Sequence, residues 1–195
     1  MKYIPFEAGQ YYHIYNRGNN DVKIFYEADN YAYFIRLLKR HLLPILEIYS
    51  YCLLPKHFHL VVKFKEMDDL SETIKSGKTK LHQGLSNLFN AYAKSINKRY
   101  HRRGSLFQEH LKRNIIADNN YLLNLILYVN TNPSHHNFGH FENYPYSAYQ
   151  ELISNKPTFL NRDKVLDLFE DKANFIFVHQ TKYQHIKGLN NMELE

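Results

Sequence analysis

Cysteine is all but missing. Cys52 is the single one in 195 residues, so no disulfide can close within the chain and no thiolate metal cluster can be built from it. Tryptophan is absent, and none of the seven glycines belongs to a Gly-rich loop of the kind that cradles nucleotide phosphates. No apolar run reaches the roughly 18 residues that a membrane helix needs. Met1-Lys2-Tyr3-Ile4-Pro5 lacks the apolar core of a signal peptide, which makes a cytoplasmic location the expectation. Neither an internal repeat nor a low-complexity tract interrupts the chain, and its 44% hydrophobic content is that of a globular domain.

What is present is positive charge and aromatic surface. Twenty-five Lys and Arg against nineteen acids leave a formal charge of +6. A basic chain favours polyanionic partners, because cations at a phosphate backbone release condensed counterions. The charge is concentrated: Lys94, Lys98, Arg99, Arg102, Arg103, Lys112 and Arg113 fall close together with Glu109 as the one acid among them. Seventeen Tyr and thirteen Phe supply a core and, at positions such as Tyr100 and Phe107, surfaces on which unpaired bases could stack.

The hydrophobic pattern alternates between periods of 2 and 3.6. Residues 11–16 read as a strand stopped by Arg17-Gly18. Asp29 is placed to cap a helix carrying Tyr33, Phe34, Leu37, Leu38 and His41, which Pro44 closes. Residues 46–54 and 57–64 read as strands joined across Pro55-Lys56, so an antiparallel hairpin is predicted. Residues 66–80 look like a polar helix or mobile loop, and 81–100 like a long helix with Leu81, Leu85, Leu88, Phe89, Tyr92 and Ile96 on one side. A fourth strand over 111–117 precedes a helix over 120–132, capped by Asp118 or Asn119 and ended by Pro133. The order β-α-β-β-α-β-α predicts an α+β, ferredoxin-like antiparallel sheet with packed helices. We expect that domain to span 1–152, with a helical extension over 153–195, a helix from Asp163 to about Phe177, and frayed residues 187–195.

Two groups of residues carry chemistry. In His57-Phe58-His59 strand alternation places both imidazoles on one face and Phe58, Leu60, Val62 and Phe64 on the other. Two imidazoles can hold one divalent ion, with the remaining positions left to another side chain, water or a phosphate oxygen. In a chain with twelve histidines that pair alone does not define a function. His135-His136 lacks the spacing for one strand face, and His101 and His110 have no regular partner. The helix over 120–132 buries Leu122, Leu125, Ile126 and Val129, with Tyr121, Asn124, Tyr128 and Asn132 on a flank. Tyr128 and Asn132 stand one turn apart. A phenol beside a carboxamide suits phosphoryl transfer if a nearby cation favours the phenolate, since tyrosine ordinarily ionises near pH 10.

Three separated segments, Tyr12-His13-Ile14-Tyr15-Asn16-Arg17-Gly18, Leu54 to Val62 and Tyr121 to Pro133, together resemble the single-tyrosine HUH transposases. The branch they resemble is the one associated with repetitive extragenic palindromes, related to the IS200-like transposases. Tyr100-His101-Arg102-Arg103-Gly104-Ser105-Leu106-Phe107-Gln108 and Tyr144-Pro145-Tyr146-Ser147-Ala148-Tyr149 add to the likeness, which runs from about Tyr11 to Tyr149. It departs at Lys56, where the family often has Asn, and at Phe107, where Trp is usual. The resemblance implies a ferredoxin-like fold, Tyr128 as nucleophile, and a divalent ion, Mg²⁺ or Mn²⁺, held by His57, His59 and Asn132. It implies a partner, single-stranded DNA with a hairpin, cleaved through a 5′-phosphotyrosine link and religated without ATP. Arg17, Lys56, Arg99, Arg102, Arg103, Lys112 and Arg113 are the candidate DNA contacts, mostly to phosphates. Monomer and homodimer are both compatible with the sequence. The rival readings are a structured-DNA or RNA-binding protein of the same fold that no longer cuts, and a metal-dependent phosphodiesterase that uses activated water.

Overall fold

The computed structural model describes residues 5–183; the frayed end expected over 187–195 lies outside the described residues. Four strands, β1 (Tyr11–Arg17), β2 (Leu46–Leu53), β3 (His57–Phe64) and β4 (Lys112–Ile115), form an antiparallel sheet in the order β2-β3-β1-β4. This is the ferredoxin-like order expected from the alternation of elements. β2 and β3 are joined as a hairpin, with Leu54 N donating to His57 O at 2.8 Å. A bulge at Tyr49 shifts the β2 register by one residue, so that Ser50 opposes Val61 and Ile48 opposes Val62.

The sheet has two unlike faces. Tyr12, Ile14, Phe58, Leu60, Val62 and Phe64 are buried beneath α1 (Ala28–Leu42) and α3 (His82–Arg99). Phe34 of α1 meets Phe58 at 5.5 Å between ring centres and Tyr92 of α3 edge-on at 5.0 Å. Each such side chain, fully withdrawn from water, contributes about 1.5–3 kcal/mol. Gly84 lets α3 approach α1 closely, since a Cβ there would lie 2.6 Å from the His41 carbonyl oxygen. Phe107, offered above as a base-stacking surface, is buried in this layer against Phe58, Phe89 and Tyr92.

α1 is capped two residues earlier than Asp29 suggested. Glu27 has the extended N-cap conformation, and its N–H donates to Asn30 Oδ1 at 3.3 Å; Asp29 sits inside the first turn, where its charge meets the helix dipole favourably. The polar segment 66–80 forms a single 3-10 turn and the short α2 (Glu72–Lys75).

The opposite face carries His13, Tyr15, Ser50, Cys52, His57, His59 and Val61, and α4 (Asn119–His135) lies across it on the β2–β3 side. Asp118 caps α4 by accepting from Tyr121 N at 2.8 Å. Pro133 does not end this helix, as expected above, but lies within it. The proline removes one intrahelical donor, yet the chain on both sides is held: residues 125–133 are buried, and beyond it His136 N donates to Asn132 O at 3.2 Å. Tertiary burial outweighs the lost bond.

The C-terminal part comprises α5 (Tyr149–Ile153), α6 (Arg162–Leu168) and α7 (Lys172–Lys182); α6 meets α5 and β2, and α7 is bonded to α4. Where one helix from Asp163 to about Phe177 was expected, there are two. Glu170 adopts a left-handed conformation (φ 72°), and Asp171 starts α7 by accepting from Asn174 N at 2.7 Å. A buried polar chain ties three elements together. Ser50 donates to Asn130 Oδ1 at 2.7 Å, Asn130 Nδ2 lies 3.0 Å from His179 Nε2, and His179 Nδ1 lies 2.7 Å from Phe175 O. The carbonyl requires the proton on Nδ1, so Nε2 accepts from the amide and the ring is neutral.

Burial pushes the His179 imidazole from 6.5 down to about 4. Because the folded value is the lower one, the unfolded chain binds more protons between those limits. Stability is therefore complete above pH 6.5 and falls as pH drops toward 4. The gap corresponds to about 3 kcal/mol. Denaturant titrations of the wild type and His179→Gln at pH 7 and pH 4 are expected to differ in pH sensitivity by that order. Equal losses in the two proteins would remove His179 as the cause. Among the described residues, no helix is long and apolar enough to cross a membrane.

Candidate functional site

Strand register brings the first candidate residues together. His57 opposes Arg17, and His59 opposes Tyr15, in the β1–β3 pair, so all four side chains share the face over which α4 lies. Lys112 of β4 opposes Tyr15 from the other side. Arg17, Lys56, His57, His59 and Lys112 line one cavity of about 360 Å³, together with Tyr15, Asn16, Asp21, Gln108, His136 and Phe138.

Asn132 reaches the same place from α4. Its Oδ1 lies 3.4 Å from His57 Nε2. Two donors each about 2.1 Å from a shared ion stand roughly 3.0–3.4 Å apart, so this pair is spaced as two ligands of one metal would be. Asn132 is fully buried, and its Nδ2 makes no hydrogen bond. Leaving a buried amide donor unsatisfied costs about 1–3 kcal/mol, so Asn132 is held here at some expense of stability. Among the described residues, no three His, Cys, Asp or Glu side chains form a complete metal cage. An ion here would depend on the carboxamide and on oxygen ligands from water or substrate. The donor set of two imidazoles and one amide oxygen fits a divalent cation on those terms.

Tyr128 stands one turn before Asn132. Its ring is edge-on to His59 at 5.9 Å and parallel to that of His135 at 6.1 Å. The flank position assigned to Tyr128 and Asn132 is not a solvent-facing one: both are at most 1% exposed, and Tyr128 is not among the cavity's lining residues. On this side Tyr128 is covered by His59 of the sheet and by His135 of its own helix.

The seven candidate cations are not gathered on one surface. Arg17, Lys56 and Lys112 meet at the cavity. Arg113 follows Lys112 by one residue and so points to the other face, its guanidinium 4.3 Å above the Phe6 ring, at a separate groove of about 1120 Å³. Arg99 is paired with Glu27 at 2.8 Å and Asp29 at 3.4 Å, and Arg102 donates to Tyr26 Oη at 3.1 Å. Arg103 is exposed. Tyr100 stacks on Tyr26 at 4.2 Å near these last three arginines.

At the cavity mouth Asp21 accepts from both Arg17 (3.2 Å) and Lys56. The Lys56 ammonium beside it, with Arg17 adding to the effect, holds the Asp21 carboxyl below the usual carboxylate range. Asn20 and Asp21 are consecutive left-handed residues (φ 52° and 59°), of the types that tolerate that conformation best. The turn closes tightly on Gly18, where a Cβ would lie 1.9 Å from the Val22 carbonyl oxygen. Since that neighbour is backbone, Gly18→Ala is expected to cost about 1–3 kcal/mol by forcing the turn open. An unchanged thermal midpoint would show that the turn yields freely.

Four contributors escaped the sequence reading. His13 lies next to His59, its Nε2 2.9 Å from His59 Nδ1, and both are buried. Tyr15 stacks beside both, 4.6 Å from His13 and 5.7 Å from His59. His136 packs on His57 at 4.6 Å between ring centres. Strand spacing sets it aside, whereas on a helix continuing through Pro133 it falls one turn after Asn132. Gln108 belongs to the loop that bridges to β1, donating from its N–H to Arg17 O at 3.0 Å and accepting at its carbonyl from Asn16 Nδ2 at 3.2 Å.

A search of solved structures finds a REP-associated tyrosine transposase bound to a REP hairpin, with a TM-score of 0.61 and 14% sequence identity over 80% of this chain and 87% of that one. The two chains share a fold. Scans against protein-family models and curated proteins give no match. What they share is the mixed α/β architecture built on the four-stranded antiparallel sheet described above.

Proposed function

We propose that this protein is a hairpin-DNA-directed transposase that cuts and rejoins single strands with Tyr128 as nucleophile. The observation that carries the reading is the convergence of His57 and Asn132 at 3.4 Å beside a cationic cavity, with Tyr128 one helical turn away against His59. The structural neighbour's complex with a REP hairpin supports hairpin DNA as the partner.

In this reading Arg17, Lys56 and Lys112 hold phosphates at the cavity, Asp21 yielding its two cations as the DNA arrives. His57, His59 and Asn132 would hold a divalent cation, Mg²⁺ or Mn²⁺. When bound, it supplies charge that polarises the scissile phosphate and favours the phenolate. The Tyr128 oxygen forms a bond to phosphorus as the bond to the 3′ oxygen breaks. That oxygen leaves as a 3′-OH, taking a proton, and Tyr128 retains the 5′ phosphate. Attack by a 3′-OH on this link reverses the step and rejoins strands. Because Tyr128 is buried, its hydroxyl must be uncovered when DNA binds.

That burial also favours a second reading, in which the protein holds structured nucleic acid without cutting it. Hairpin oligonucleotides labelled at either end, incubated with the protein and Mg²⁺ or Mn²⁺, separate the two. The transposase reading expects the 3′-labelled fragment to migrate with the protein and the 5′-labelled fragment to be released. Binding without cleavage supports the second reading, and cleavage without an adduct points to activated water.

A further inference from the structure

We infer that His13 is a positioning residue that fixes His59 in the one tautomer able to bind a metal. The inference rests on the metal reading above and concerns this chain's own residues.

His13 Nε2 and His59 Nδ1 are 2.9 Å apart, and both rings are withdrawn from solvent. The rings are nearly parallel, inclined by 21°, and Tyr15 lies nearly parallel to both, which limits their rotation. Register holds the backbone as well: His13 opposes Val61 on one side and Asn114 on the other. One proton lies between the two facing nitrogens. If His13 carries it, a neutral His59 must hold its own proton on Nε2 and cannot coordinate through that atom. If His59 carries it on Nδ1, Nε2 presents a lone pair to an ion. A histidine ligand ordinarily has its second nitrogen tied in this way, and loss of such a partner typically weakens metal binding 10–100-fold. Here the usual carboxylate or carbonyl acceptor is replaced by a second imidazole on the neighbouring strand.

A structural role alone would require the ring but not the acceptor, so two substitutions divide the cases. His13→Phe keeps an aromatic ring against Tyr15 and removes the acceptor. His13→Gln restores an acceptor through Oε1. With Mn²⁺ alone added to the full chain and free ion followed by electron paramagnetic resonance, His13→Phe is expected to bind about 10–100-fold more weakly than wild type. His13→Gln is expected to recover most of that loss. Wild-type affinity in His13→Phe, or equal loss in both variants, overturns the inference. Should His13→Phe fail to fold, ¹⁵N chemical shifts of His59 in the wild type decide instead, a proton on Nε2 being the refuting result. A wild type that binds no Mn²⁺ overturns the metal reading and this inference with it, a result distinct from failure of the variants alone.

Discussion

Tyr128→Phe is expected to abolish the covalent protein–DNA link and slow strand cleavage on the order of 10⁶-fold, the scale on which removing a covalent nucleophile acts. The change deletes one oxygen and keeps the ring, so the packing against His59 and His135 persists. The hydroxyl's net share of stability is about 1 kcal/mol, and hairpin binding, carried by the cations of the cavity that Tyr128 does not line, is expected to stay near wild type. Quantifying the adduct band and the cleaved fragments in parallel with a thermal melt makes the comparison. Cleavage at the wild-type rate in Tyr128→Phe would refute the nucleophile assignment and leave hydrolysis by activated water.

The second large effect is expected at the imidazoles. His57→Ala combined with His59→Ala should remove metal-stimulated cutting, by at least roughly 10²-fold. Arg17, Lys56 and Lys112 remain, so the hairpin should still bind within several-fold of wild type and with similar salt dependence. The two substitutions differ in their side effects. His59 is buried and bonded to His13, and its loss leaves both a cavity and an unpaired nitrogen; His57 borders the cavity and is the safer single change. If His57→Ala alone retains full Mg²⁺- or Mn²⁺-dependent cleavage, the metal assignment fails whatever the stability of the double variant.

Much of the architecture was legible because it is written in local periodicity. Alternation in Phe58, Leu60, Val62 and Phe64 identifies β3 and its buried face, and the short Pro55-Lys56 link implies the hairpin. Where local rules competed with burial, burial prevailed. Pro133 is read as a terminator from its missing N–H, yet α4 runs through it because its whole circumference from Leu125 to Pro133 is buried. The same misreading hid His136, which reaches His57 only if the helix continues. Glu170 shows the converse: nothing in the 3.6-residue pattern of 163–177 announces a left-handed residue that breaks the helix in two.

The sequence by itself determined the element order, the common face of His57 and His59, and the one-turn spacing of Tyr128 and Asn132, since these follow from backbone periods of 2 and 3.6. Tertiary structure alone decided the rest. Strand register set His13 beside His59, and the packing of α4 on β2 and β3 set Asn132 Oδ1 at 3.4 Å from His57. Alternation on β4 sent Lys112 to the cavity and Arg113 to the opposite face, dividing a run of cations that is continuous in sequence. A register shift of one residue would exchange every inward and outward side chain, and no local pattern specifies which neighbour a strand will meet.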